Sequence, residues 1–149
     1  MRIKAVVLFI AVTCIPASAA GIGPVDDPMT KTECGACHMV YPAGLLPARS
    51  WEAITNDLAH HFGEDATLAP EVVAGIKAYL MANAGDAGGT SNGMIRNVPA
   101  EVTPLRISEL PRFTRAHGQL SPSTLKKVGV AGNCVACHRG AADGVFEDD

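Results

Sequence analysis

Cys34-Gly35-Ala36-Cys37-His38 and, a hundred residues on, Cys134-Val135-Ala136-Cys137-His138 decide how this 149-residue chain is read. Cys-x-x-Cys-His is the attachment signature of c-type haem. Two intervening residues let both sulfurs reach the two vinyl groups on one porphyrin edge, and the histidine that follows is turned toward the iron as proximal ligand. Those intervening residues are small here, so backbone can lie against the macrocycle. Zinc binding and thiol–disulfide exchange are the competing uses of paired cysteines. A redox pair expects a strand–helix setting that this pattern lacks. Two complete copies, each ending in histidine, therefore point to two covalently bound haem c groups, one on Cys34 and Cys37, the other on Cys134 and Cys137.

Upstream of the first motif, Arg2 and Lys4 precede an apolar run from Ala5 to Ile15, then Pro16 and Ala17-Ser18-Ala19-Ala20. A basic start, a short apolar stretch and a small-residue site describe a cleavable secretory signal over residues 1–20. The run is too short to span a bilayer. The expected mature protein is thus periplasmic and does not cross the membrane; a retained anchor is the alternative. Cys14 leaves with the signal, so of five cysteines only the two motif pairs remain and none is spare for a disulfide. One Trp, two Tyr and four Phe make a thin core. Two porphyrins would supply the missing apolar surface.

Between the motifs, Ala84 to Gly93 reads Ala-Gly-Asp-Ala-Gly-Gly-Thr-Ser-Asn-Gly, a flexible link. It divides the chain into a 21–89 domain and a 90–149 domain with an acidic tail that should be loose. No period-2 alternation persists, so the expected fold is all-α, two small haem-packed helical domains with little or no sheet. A first helix begins within or just before Cys34 to Met39. Ser50 caps a second, from Trp51 to about His61, which Gly63 closes. A third starts at Pro70 and runs through Val73, Ile76 and Leu80. Pro111 opens a short helix that carries Phe113 and His117 on one face and stops at Gly118. Ser121-Pro122 opens another, leading toward the second motif.

Each iron then needs a sixth ligand or an open site. Outside the motifs the histidines are His60, His61 and His117, with Met39, Met81 and Met94 as sulfur alternatives. His61 continues the apolar stripe of Trp51, Ile54 and Leu58, whereas His60 follows Ala53 and Asp57 to a polar side. His117 shares a face with Phe113 and precedes His138 by 21 residues. The expected pairs are His38 with His61 and His138 with His117. A crossed pairing, with His60 and His61 serving different irons, and methionine ligation both stay open.

Charge is uneven. The formal net of −3 becomes −5 once Arg2 and Lys4 are removed. Residues 21–89 carry three bases against nine acids. Residues 90–139 carry seven bases (Arg96, Arg106, Arg112, Arg115, Lys126, Lys127 and Arg139) against Glu101 and Glu109. Such a stretch can be a solvated face, a docking surface for a redox partner, or a set of haem-propionate partners. An acidic exported chain without aromatic–basic interleaving does not suit nucleic acid.

Glu33-Cys34-Gly35-Ala36-Cys37-His38, Tyr41-Pro42 with Leu45-Leu46-Pro47 and Ser50-Trp51, His61-Phe62-Gly63-Glu64-Asp65-Ala66, and Asn133 to His138 with His117 upstream extend over nearly all of the mature chain. On these residues the chain resembles the dihaem cytochrome c family of bacterial periplasmic electron carriers. The resemblance implies two low-spin haems with bis-histidine ligation in two small helical domains. It also implies electron transfer between a membrane cytochrome b and a small oxygen-binding c-type haem protein. The rival class is a dihaem peroxidase-like enzyme, which needs at least one open iron.

Overall fold

The computed structural model describes residues 22–89 and 91–146; the signal segment expected over 1–20 lies outside them. All regular structure among the described residues is helical, apart from one isolated bridge between His61 and Glu64. Five α-helices follow one another: α1 Pro28–Cys34, α2 Ala48–Asn56, α3 Pro70–Ala82, α4 Pro111–His117 and α5 Pro122–Val128. Short 3-10 turns fill the intervals. No helix among the described residues is long and apolar enough to cross a membrane.

Proline starts four of these helices, since its fixed φ suits the first turn and its missing N–H costs nothing there. The expected starts at Pro70, Pro111 and Pro122 coincide with the observed ones. Asp27 caps α1 by accepting the Thr30 N–H at 2.7 Å, and Ser121 caps α5 by accepting the Thr124 N–H at 3.1 Å.

Two boundaries depart from expectation. The first helix ends at Cys34 instead of containing the motif, because Gly35 turns the chain there and donates its N–H back to the Lys31 carbonyl at 3.1 Å. A Cβ at position 35 would collide with that same carbonyl, so only glycine fits. The second helix begins three residues before Trp51. Ser50 is fully buried inside it, and the cap comes from within the link: Asp86 accepts the Ala48 N–H at 2.8 Å. α2 also stops at Asn56, well short of His61. The Thr55 hydroxyl bonds back to the Trp51 carbonyl at 2.7 Å, and Asn56 and Asp57 are residues whose short polar side chains compete with the helical ladder.

α2 and α1 both pack on α3. Trp51, Leu45, Leu46, Ile76 and Leu80 form the centre, and the Trp51 indole N–H donates to the Ala43 carbonyl at 2.7 Å. Ile95, Ile107, Leu110 and Phe113 join the same buried cluster from beyond the link. The link is irregular, as its composition requires, but it is anchored. Gly85 donates to the Leu46 carbonyl at 2.9 Å, and the Asn92 amide donates to the Gly44 carbonyl at 2.7 Å. Arg49 clamps the proline-rich stretch that follows, donating to the carbonyls of Val102 (2.8 Å) and Pro99 (2.9 Å). The tail is likewise held in place over its described residues. Ala141 is fully buried, and Gly144, in the left-handed region at φ +78°, presses against the Ile22 carbonyl.

Candidate haem-ligand sites

The first site is assembled by the turn after α1 and the loop after α2. His38 leaves the motif with its Nδ1 at 2.6 Å from the Met39 carbonyl, to which a protonated Nδ1 donates, keeping Nε2 free for a metal. Opposite it stands His61, ring centre to ring centre 6.1 Å, with the two planes only 18° apart. His60 is turned away: its Nδ1 lies 2.7 Å from the Asp57 carboxylate, with the side chain 82% exposed. That pairing raises the His60 pKa, whereas burial, with His38 and Arg106 nearby, lowers that of His61. A metal takes the neutral imidazole, so electrostatics and geometry both favour His61.

Phe62, next in the chain, is a non-glycine residue at φ +55°. Such a conformation costs about 1–2 kcal/mol. The conformation turns the chain sharply after His61, and the ring is covered by the Arg106 guanidinium, 4.1 Å from its centre. Arg106 comes from beyond the link, so a cation–π contact absent from any local pattern supports the loop that carries His61.

The second site is formed by α4 and the second motif. There the backbone N–H of His138 donates to the Cys134 carbonyl at 2.8 Å. His117, the last residue of α4, faces His138 at 5.9 Å between ring centres, with planes crossed at 84°. Its Nδ1 lies 3.1 Å from the Phe113 carbonyl, and its ring stacks on Phe113 at 4.2 Å. Phe146 approaches the other ring, His138, at 6.0 Å.

Both spacings suit an ion between two imidazoles. A metal–imidazole bond of about 2.0 Å on each side, with about 1.1 Å from nitrogen to ring centre, separates opposed ring centres by about 6 Å. Phe62 is exposed at the first site, and Val130, Val135 and Val145 at or beside the second motif, an apolar margin of the kind a porphyrin packs on. None of the four motif cysteines is tied up in a disulfide. Burial pushes the Cys34 and Cys134 thiols up, opposite to what an activated redox cysteine requires. A closed zinc site needs four convergent ligands, and among the described residues no group of three or more His, Cys, Asp or Glu side chains converges.

One residue touches both sites. The Tyr41 ring packs on His38 at 5.0 Å, and its hydroxyl donates to the Gly132 carbonyl at 2.8 Å, 91 residues away. The Cys134 N–H and thiol bond to that same carbonyl. Tyr41, Arg106 and Phe146 carry no spacing signal; only a long-range hydrogen bond or ring contact reveals them. Tyr41→Phe keeps the ring and removes the hydrogen bond. It should cost about 1 kcal/mol, read as a lowered denaturant midpoint with the Soret band unchanged.

The chain matches no curated protein sequence. It does match the family model for dihaem cytochrome c over residues 30–146. Among solved structures it is similar to the dihaem cytochrome c from Rhodobacter sphaeroides, at 52% identity and a TM-score of 0.78, over 83% of this chain and 99% of that one. It is also similar to a dihaem cytochrome c from Shewanella baltica OS155, at 36% identity and a TM-score of 0.65, over 80% and 86%. With a matched family model spanning both attachment motifs, and two facing histidine pairs set at the spacing of an axial ligand set, this chain is a member of the dihaem cytochrome c family and carries two covalently bound haem c groups.

Proposed function

We propose that this protein is an exported, periplasmic electron carrier that passes single electrons between a membrane cytochrome b and a small, oxygen-binding c-type haem protein. In this reading Cys34, Cys37, Cys134 and Cys137 hold the haems, His38 and His61 ligate one iron, and His138 and His117 ligate the other. Each bound haem supplies a reversible one-electron iron couple. The observation that carries the reading is the pair of facing imidazoles at each motif, 6.1 and 5.9 Å apart. A filled sixth position suits outer-sphere electron transfer, whereas a peroxidase-type enzyme needs one axial position open. Histidine in place of methionine also withholds the thioether that raises potential.

Attachment is tested on the denatured protein. It should keep its haem on a gel and give twice the pyridine-haemochrome absorbance of a one-haem standard. Replacing Cys134 and Cys137 by Ala should halve that absorbance. Haem that dissociates on denaturation contradicts the assignment.

Docking is supported by the positive stretch. All seven of its cations, Arg96, Arg106, Arg112, Arg115, Lys126, Lys127 and Arg139, are exposed, and Lys126 and Lys127 occupy the last turn of α5. Local positive fields speed encounter more than they tighten a complex, which suits a carrier that must release quickly. Charge reversal of Lys126 and Lys127 should slow electron transfer to an acidic partner and flatten its dependence on ionic strength, with both haem potentials unmoved. Shifted potentials with unchanged association rates would assign these lysines to the propionates instead.

A further inference from the structure

The two histidine pairs differ in one respect that ligand identity does not explain. Near His38 the opposed rings are almost parallel, at 18°; near His138 they are almost perpendicular, at 84°. We propose that Phe113 is a positioning residue that fixes the plane of the His117 imidazole across that of His138, and that the protein therefore holds two electronically distinct centres. The proposal rests on the bis-histidine reading given above.

Two contacts hold the His117 ring. It lies face to face with Phe113, 4.2 Å between centres and 23° between planes, and its Nδ1 lies within hydrogen-bond distance of the Phe113 carbonyl one turn back. The i, i+4 relation along α4 places the two side chains together. Phe113 is itself held, being buried in the cluster with Leu110 and Ile107. The His117 plane is thus tied to the core through Phe113. At the first site the neighbouring aromatic rings among the described residues do not lie face to face with the imidazoles. Tyr41 meets His38 tilted by 37°, and Phe62 meets His61 edge-on at 63°.

Ring planes matter because each axial imidazole donates π density through the orbital normal to its plane. Parallel rings act on the same iron d orbital and separate it from its partner. Crossed rings act on one orbital each and leave the two nearly degenerate. A low-spin ferric centre with parallel rings therefore gives a rhombic paramagnetic-resonance signal with three resolved g-values. One with crossed rings gives a strongly anisotropic signal of which only a low-field feature is seen. Orientation of a metal-bound histidine by an outer residue is a general device; here the outer residue is an aromatic face.

The test is low-temperature paramagnetic resonance of the oxidised holoprotein, with near-infrared magnetic circular dichroism to identify the axial ligands independently of their planes. Native protein should show one rhombic and one low-field signal in equal amounts. Phe113→Leu should shift the low-field signal toward the rhombic type and leave the other untouched, while Phe113→Tyr, which keeps the ring, should retain both. A purely structural role would lower thermal stability without moving the low-field signal, and that result overturns the proposal. Two rhombic signals in native protein overturn it without any variant. If the near-infrared band instead shows sulfur or high-spin iron at the second centre, the ligation reading fails and the proposal falls with it. Bis-histidine bands beside two rhombic signals isolate the failure to Phe113.

Discussion

His61→Ala should turn the N-terminal centre from low-spin to high-spin, and His60→Ala should leave the absorption spectrum as it was. The two side chains are neighbours in sequence, yet they have opposite surroundings. His61 faces His38 at 6.1 Å, whereas His60 points outward onto Asp57 at 2.7 Å. On the proposed ligation, removal of the His61 imidazole takes away a ligand that His60 could replace only by refolding the turn from Leu58 to His60. About half of the iron should become high-spin or bind added imidazole or cyanide. His117→Ala should do the same at the other centre, and the two variants together should convert nearly all of it. Opening of a centre by His60→Ala would make the crossed pairing the better description. The His60–Asp57 pair itself is so exposed that its loss should scarcely alter stability. Because its pKa is raised, whatever it contributes is present below the unfolded-state value and is lost as pH rises through the folded one.

Leu110→Ala is the substitution with the largest expected effect on stability. Leu110 is 0% exposed and immediately precedes α4, so it joins the buried cluster to the helix that bears Phe113 and His117. Truncation of a fully buried leucine costs about 2–5 kcal/mol, according to how far the cavity collapses. Guanidinium unfolding followed by far-ultraviolet dichroism should show a much lower midpoint. The low-field resonance of the second centre should also broaden as α4 loosens. Val130→Ala, at a site 64% exposed, is the control and should stay within about 0.5 kcal/mol of native. Equal losses for the two variants would mean that the cluster around Leu110 does not carry the stability assigned to it.

The structure brings together the histidines that the sequence pairs, His38 with His61 and His138 with His117, though not always for the expected reason. By its spacing in the sequence, His61 continues the stripe of Trp51, Ile54 and Leu58 on one helix. In the structure that helix has ended at Asn56, and His61 is delivered by a 3-10 turn and the sharp backbone at Phe62. The preference and the geometry agree on the residue while the periodicity that supported it does not extend that far. For His117 the inference and the structure share one cause, since a single helix carries both Phe113 and His117. Ser50 has the right chemistry for a cap, yet Asp86 from the glycine-rich link takes that role. The glycine-rich link is largely irregular as its residues require, but the Gly85 N–H and the Asn92 side-chain amide tie it down.

The amino-acid sequence by itself determined what is local and covalent in character. Haem number follows from two motifs whose five positions are contiguous, and helix starts follow from prolines whose φ is fixed by their own rings. The all-helical class follows from apolar spacing over a few turns. Only the tertiary structure decided which imidazole faces which, at what angle, and that Tyr41 joins the two centres through Gly132. Those outcomes depend on contacts between residues far apart in the chain, such as Arg106 on Phe62 and Arg49 on Val102. No local propensity encodes such contacts, because each forms only after packing has brought the distant partners together.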